Sequence, residues 1–83
     1  MDKTTHNAEQ QALRALLREL RDDRGLRQVD VAATVGEPQS FVSKYESGER
    51  RLDAIELRRV CLALGLTLAE FAVRLEERLG RPS

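Results

Sequence analysis

Between Pro38 and Arg51 the chain reads PQSFVSKYESGERR, a stretch in which side chains able to make directional hydrogen bonds outnumber those able to be buried. Only Phe41, Val42 and Tyr45 are candidates for packing. If the segment is a helix with these three facing inward, Gln39, Ser40, Ser43 and Lys44 share the outward face, at spacings of one, three and four residues. A glutamine amide sets a donor beside an acceptor, the fork that matches N6 and N7 of adenine. A hydroxyl donates or accepts at either base pair, and an ammonium donates to O6 and N7 of guanine. The chemistry on offer is the reading of base edges. Catalysis has little support, because one His and one Cys, well separated, supply neither an acid–base pair nor a tetrahedral zinc site. Cys61 sits among apolar positions and reads as a small buried hydrophobe, and His6 as part of a frayed tail. No disulfide, metal or cofactor is expected, and no ligand pocket is evident.

Local charge has to carry any case for a polyanionic partner. Fourteen basic residues balance fourteen acidic ones, giving a net charge of zero and a pI near 6.6. With 83 residues, 41% hydrophobic and 34% charged, the chain is long enough for one small domain and has the balance of a soluble helical protein. No apolar run approaches the ~20 residues of a membrane span, and MDKTTHNAEQQ lacks the apolar segment of a signal peptide. A cytoplasmic protein without membrane partners is expected.

The elements that must hold the polar face follow from apolar period and from Gly25, Gly36, Gly48, Gly65 and Gly80. The spacing predicts an all-α chain of five helices, with a tail over 1–6, a domain over 7–80 and a tail over 81–83. The first helix opens at Asn7, capped reciprocally with Gln10, and carries Ala12, Leu13, Leu16, Leu17 and Leu20 on one stripe. The second runs from about Gln28 to Val35, with Asp30 supplying only the acidic half of a cap, since Arg27 has no oxygen to offer. After Gly36, Pro38 takes the first position of the third helix, which ends near Glu46. Asp53 with Glu56 caps the fourth, whose inward face is Leu57, Val60, Cys61 and Leu64. Thr67 with Glu70 caps the fifth, with Phe71, Ala72, Leu75 and Leu79 on one face, and Gly80 and Pro82 end it.

Two short helices joined at a glycine, with small Ala32 where they cross, form a helix-turn-helix, the unit that presents its second helix to the major groove. Gln28 at the start of the first of these helices, and Arg50 and Arg51 just beyond the second, suit phosphates. The run GLRQVDVAATVGEPQSFVSKYESGERRLDAIELRRVCLALGL resembles the Cro/cI-type (XRE) helix-turn-helix family, over about Leu13 to Leu75. The resemblance implies a compact five-helix bundle of the lambda-repressor-like type, binding double-stranded operator DNA as a dimer and repressing transcription. It implies Gln39, Ser40, Ser43 and Lys44 as base-facing residues, with Gln28, Ser47, Arg50 and Arg51 on the backbone. It further implies that Arg21 pairs with Glu46 and braces the third helix. Arg27 departs from the usual Thr or Ser cap, Glu37 from the usual apolar or basic turn residue, and Glu37, Glu46 and Glu49 would repel phosphates if they faced a duplex.

One helix reads only a few base pairs, so a homodimer on a two-fold site is expected. Leu68, Phe71, Leu75 and Leu79, flanked by Val73, give the fifth helix more apolar surface than one core face needs and are the predicted interface. The competing reading of the same scaffold is a protein-interaction module, such as an antitoxin-like partner.

Overall fold

The computed structural model describes residues 3–80, with side chains described from Asn7 onward. Among the described residues every element is helical: α1 (Lys3–Asp23), α2 (Gln28–Val35), α3 (Gln39–Ser47), α4 (Ala54–Ala63) and α5 (Leu68–Leu79). No helix is long and apolar enough to cross a membrane.

Local chemistry accounts for most boundaries. Asp53 Oδ1 accepts the Glu56 N–H at 2.8 Å while Glu56 Oε1 accepts the Asp53 N–H at 3.0 Å. Thr67 and Glu70 repeat the exchange at 3.0 and 2.8 Å. Each pair satisfies two N–H groups that a helix start would otherwise leave unbonded. At α2 only half of the exchange forms. The Arg27 N–H donates to Asp30 Oδ2 at 2.8 Å, and the Arg27 guanidinium folds over the same carboxylate.

Two starts differ from the sequence reading. Asn7 lies inside α1, not at its cap, because the helix already runs from Lys3. Lys3 to His6 contain no Gly or Pro, and a residue that can cap does not force a start where its predecessors tolerate helix. The predicted tail over 1–6 is thereby shortened, and the tail expected over 81–83, Pro82 included, lies outside the described residues. Pro38 is the cap residue, extended at φ −67° and ψ 157°, and its carbonyl accepts the Phe41 N–H at 2.9 Å, so the helix proper begins at Gln39.

The core gathers one stripe from every helix: Leu16, Leu17 and Leu20 from α1, Val31 and Ala32 from α2, Phe41, Val42 and Tyr45 from α3, Val60 and Cys61 from α4, Phe71 from α5, with Leu64 and Leu66 between the last two. Helix α3 packs on α1 and α2, α4 on α2, and α5 on α1 and α4. Burial raises the Cys61 thiol to about 11, so it stays protonated and packs as a hydrophobe.

Helix α5 departs most from expectation. Phe71 is 1% exposed and closes the bottom of the core, and Leu68 and Leu75 are half-buried against it. Ala72 is exposed and Leu79 is 39% exposed. Phe71 is therefore a core residue with no surface left for an interface, on the helix that packs against α1 and α4. Unfolding in denaturant should show this directly: Phe71→Ala is expected to cost about 3–5 kcal/mol, whereas Ile55→Ala, at a 61% exposed site, should stay within about 0.5 kcal/mol of the parent.

Candidate nucleic-acid interface

Gly36 makes the turn. At φ 75° it occupies the left-handed region that closes α2, and the N–H groups of Gly36 and Glu37 return to Ala33 O at 3.2 Å and Ala32 O at 2.9 Å. The chain then leaves through Pro38 into α3, which buries Phe41, Val42 and Tyr45, the two aromatic rings meeting edge to face with centroids 5.6 Å apart. With that face spent, Gln39, Ser40, Ser43 and Lys44 are all exposed.

Behind them runs a chain of polar contacts that spans three helices. The Arg21 guanidinium, 9% exposed, donates from Nε to Glu46 Oε2 at 2.7 Å, from NH2 to Glu46 Oε1 at 2.9 Å and from NH1 to the Leu26 carbonyl at 2.9 Å. Glu46 Oε1 also accepts Gln28 Nε2 at 3.0 Å, and Gln28 Oε1 accepts Gln39 Nε2 at 3.3 Å. Arg21 thus reaches from α1 to the end of α3, and Gln28 links that end back to its beginning. Gln28, half-buried, is both a candidate phosphate donor and the support of the Gln39 amide.

The exit from α3 is equally ordered. The Lys44 carbonyl collects the Ser47 hydroxyl at 3.1 Å, the Gly48 N–H at 3.1 Å and the Arg50 N–H at 3.2 Å, and the Glu49 N–H reaches Ser47 Oγ at 3.4 Å. Arg50, expected on the phosphate backbone, is already engaged within the domain. Its guanidinium donates to both oxygens of Glu56 at 3.0 and 2.6 Å and to the Arg51 carbonyl at 3.1 Å, and lies 4.7 Å from the Phe41 ring centroid. A guanidinium so engaged holds the loop rather than reaching outward for a phosphate. Arg51 beside it is exposed.

These contacts set the electrostatics. Hydrogen bonds from Arg50, then from the Asp53 N–H, hold the Glu56 carboxyl down at about 2. Pairing with Arg27 lowers Asp30 likewise. Glu37 and Glu49 are exposed near the interface, whereas Glu46 is turned inward by Arg21. Among the described residues no group of three or more His, Cys, Asp or Glu side chains could hold a metal ion.

A helix-turn-helix family model matches residues 17–71. The solved XRE-family-like protein from Pseudomonas syringae pv. tomato str. DC3000 is 48% identical, with a TM-score of 0.84 over 90% of this chain and 92% of that one. The chain belongs to the XRE-type helix-turn-helix family. The clp gene regulator ClgR from C. glutamicum is similar at 26% identity and a TM-score of 0.75, over 89% of this chain and 96% of that one. The restriction-modification controller protein C.Esp1396I, solved as a tetramer with its natural 35 base-pair operator, shares the fold at a TM-score of 0.79 and 18% identity, over 86% of this chain and 93% of that one. No curated protein sequence matches. In this XRE-type chain, the polar chain through Arg21, Glu46 and Gln28 and the loop clamp through Arg50 bracket α3 at both ends.

Sequence reasoning missed the second task of Glu56, which serves as helix cap and as the partner of Arg50 together. The ERRLDAIE spacing contains the signal, but two adjacent arginines give no clue which one turns back. Because the folded carboxyl sits near 2 and an ordinary one near 4.5, the unfolded chain binds more protons between these values. Stability is expected to be full above about pH 5 and to fall as pH drops toward 2. Thermal melting of Glu56→Gln across that range should show a shallower acid decline than the parent.

Proposed function

We propose that the chain is a non-enzymatic, sequence-specific transcription regulator that binds double-stranded DNA as a homodimer, laying α3 in the major groove and repressing by occluding a promoter. What carries the reading is a single observation: four hydrogen-bonding side chains stand exposed on one face of a helix whose other face is sealed in the core and whose ends are tied by Arg21, Gln28 and Arg50. A helix anchored in this way loses little backbone freedom on meeting a base, and a bidentate pair then discriminates by about 1–3 kcal/mol.

Roles divide by geometry. Gln39 and Ser40 open α3 and meet base edges first, with Ser43 and Lys44 one turn on. Gln28, Ser47 and Arg51 face the backbone, while Arg50 positions the loop. Neutrality of the whole chain limits long-range attraction, so affinity rests on this local set. The C.Esp1396I tetramer on its operator supports both the DNA partner and assembly of several chains on one site. A cytoplasmic location suits such a role.

Selection of bound sequences from random duplexes tests the reading. Gln39→Ala is expected to relax discrimination at one base pair by about 1–3 kcal/mol, and Arg51→Ala to weaken all sequences alike. Retention of no duplex by the parent protein would instead favour the protein-interaction module.

For assembly, the outward side of α5 remains the proposed interface, now built on Val73 and Leu79 with the exposed edges of Leu68 and Leu75. Leu75→Asp would damage the core as well, so exposed positions make the better probes. In sedimentation, Val73→Asp with Leu79→Asp should give a folded monomer. If that pair stays assembled and Leu62→Asp, at a 49% exposed site on α4, does not, the interface lies on α4 instead.

A further inference from the structure

Where α1 passes the loop after α3, a notch of about 120 Å³ opens between them, well above the ~10–15 Å³ that admits one water. Its lining includes Asn7, Gln10, Arg14, Tyr45, Arg50 and Arg51, and it contains no carboxylate. Arg50 is the neutralised back wall, bonded to Glu56 and stacked on Phe41. Arg14 differs. It is half-buried, and among the described residues no carboxylate lies within ion-pairing distance of it.

The Arg14 guanidinium lies against the loop at Gly48, whose φ of 92° is the left-handed conformation that closes α3. A Cβ added at Gly48 would stand 3.0 Å from Arg14 Cζ and 3.2 Å from Nε and NH1, so the bare glycine lets the guanidinium lie against the backbone where α3 ends. Among the described residues nothing acidic neutralises this guanidinium, so its charge is available to an anion. Two guanidinia with amide donors beside them, at the mouth of the loop that follows the recognition helix, fit one phosphate group.

We infer that Arg14 and Arg51, with Gln10 and Asn7 at the rim, form a phosphodiester-binding notch that brings α1 into the DNA interface. The inference rests on the DNA-binding reading above. It adds a contact from outside the helix-turn-helix, one chain turn removed from any base and hence indifferent to sequence. Each backbone phosphate neutralised should appear as about 0.9 in the slope of log affinity against log salt.

The test is titration of a mixed-sequence DNA duplex with the full chain at several salt concentrations, alongside thermal melting of each variant. Arg14→Gln is expected to weaken binding and to make the slope less negative by about 0.9 for each chain bound, and Arg14→Lys to keep the parent slope. Gln10→Glu, which leaves the arginines and their packing in place, should weaken binding by placing a carboxylate at the rim. An Arg14→Gln variant that melts normally and keeps the parent slope overturns the notch, while loss of slope in Arg51→Gln leaves α3 as the DNA-reading element. If Arg14→Gln does not fold, unchanged affinity in Gln10→Glu overturns it equally. A parent chain that binds no duplex at any salt removes the DNA reading and the notch together.

Discussion

The bidentate contact between Arg21 and Glu46 joins residues 25 apart in sequence, the buried foot of α1 and the last turn of α3, and most of the interface is arranged around it. Both side chains are largely withdrawn from water, 10% and 5% exposed, so neither charge tolerates loss of its partner, and breaking a pair of this kind costs about 3–5 kcal/mol. The pair also consumes the charge of a glutamate that would otherwise face phosphates. Its third bond, to the Leu26 carbonyl, ties the same guanidinium to the turn that leads into α2. One arginine thereby sets the angle among three helices, and through Gln28 it reaches the Gln39 amide.

The opposite end of α3 is governed by a different arrangement with the same effect. Arg50 lies on the Phe41 ring and grips Glu56, whose carboxylate also caps α4. Core, loop and next helix are joined by one side chain. Its position is set by aromatic packing as much as by charge, so the loop that carries Ser47 and Arg51 is held to the body of the domain. Two braces, one acidic group each, convert carboxylates near a nucleic-acid surface into supports. Of the acidic residues near α3, Glu46 is turned inward and Glu56 is spent on Arg50, while Glu37 and Glu49 stay exposed.

Helix α1 has a larger part than its place outside the helix-turn-helix suggests. It supplies Arg21 to the brace, Leu16, Leu17 and Leu20 to the core, and Arg14 to the notch at Gly48. Its link to α5 through Arg78 and Glu19 is an exposed, solvent-screened ion pair and contributes little; Phe71 holds α5 in place.

Reciprocal caps at Asp53 and Thr67, the left-handed turn at Gly36 and the outward set from Gln39 to Lys44 were all legible in the chain, because each depends on residues within one or two helical turns. Helical period likewise sufficed for the inward faces of α2, α3 and α4, and for Leu16, Leu17 and Leu20 of α1. Misread positions share one property: their fate rests on what lies across the fold. Phe71 has the look of an interface anchor but is buried in the core. Arg50 and Arg51 are neighbours of one type, and only the nearness of Phe41 and Glu56 sends the first inward and leaves the second exposed. The amino-acid order by itself determined which segments are helical and which face of α3 is polar, since both follow from local hydrogen bonding and period. Tertiary packing alone decided which charges are neutralised and which remain to meet an anion, because an ion pair is made by distance in space and carries no mark in the spacing of the chain.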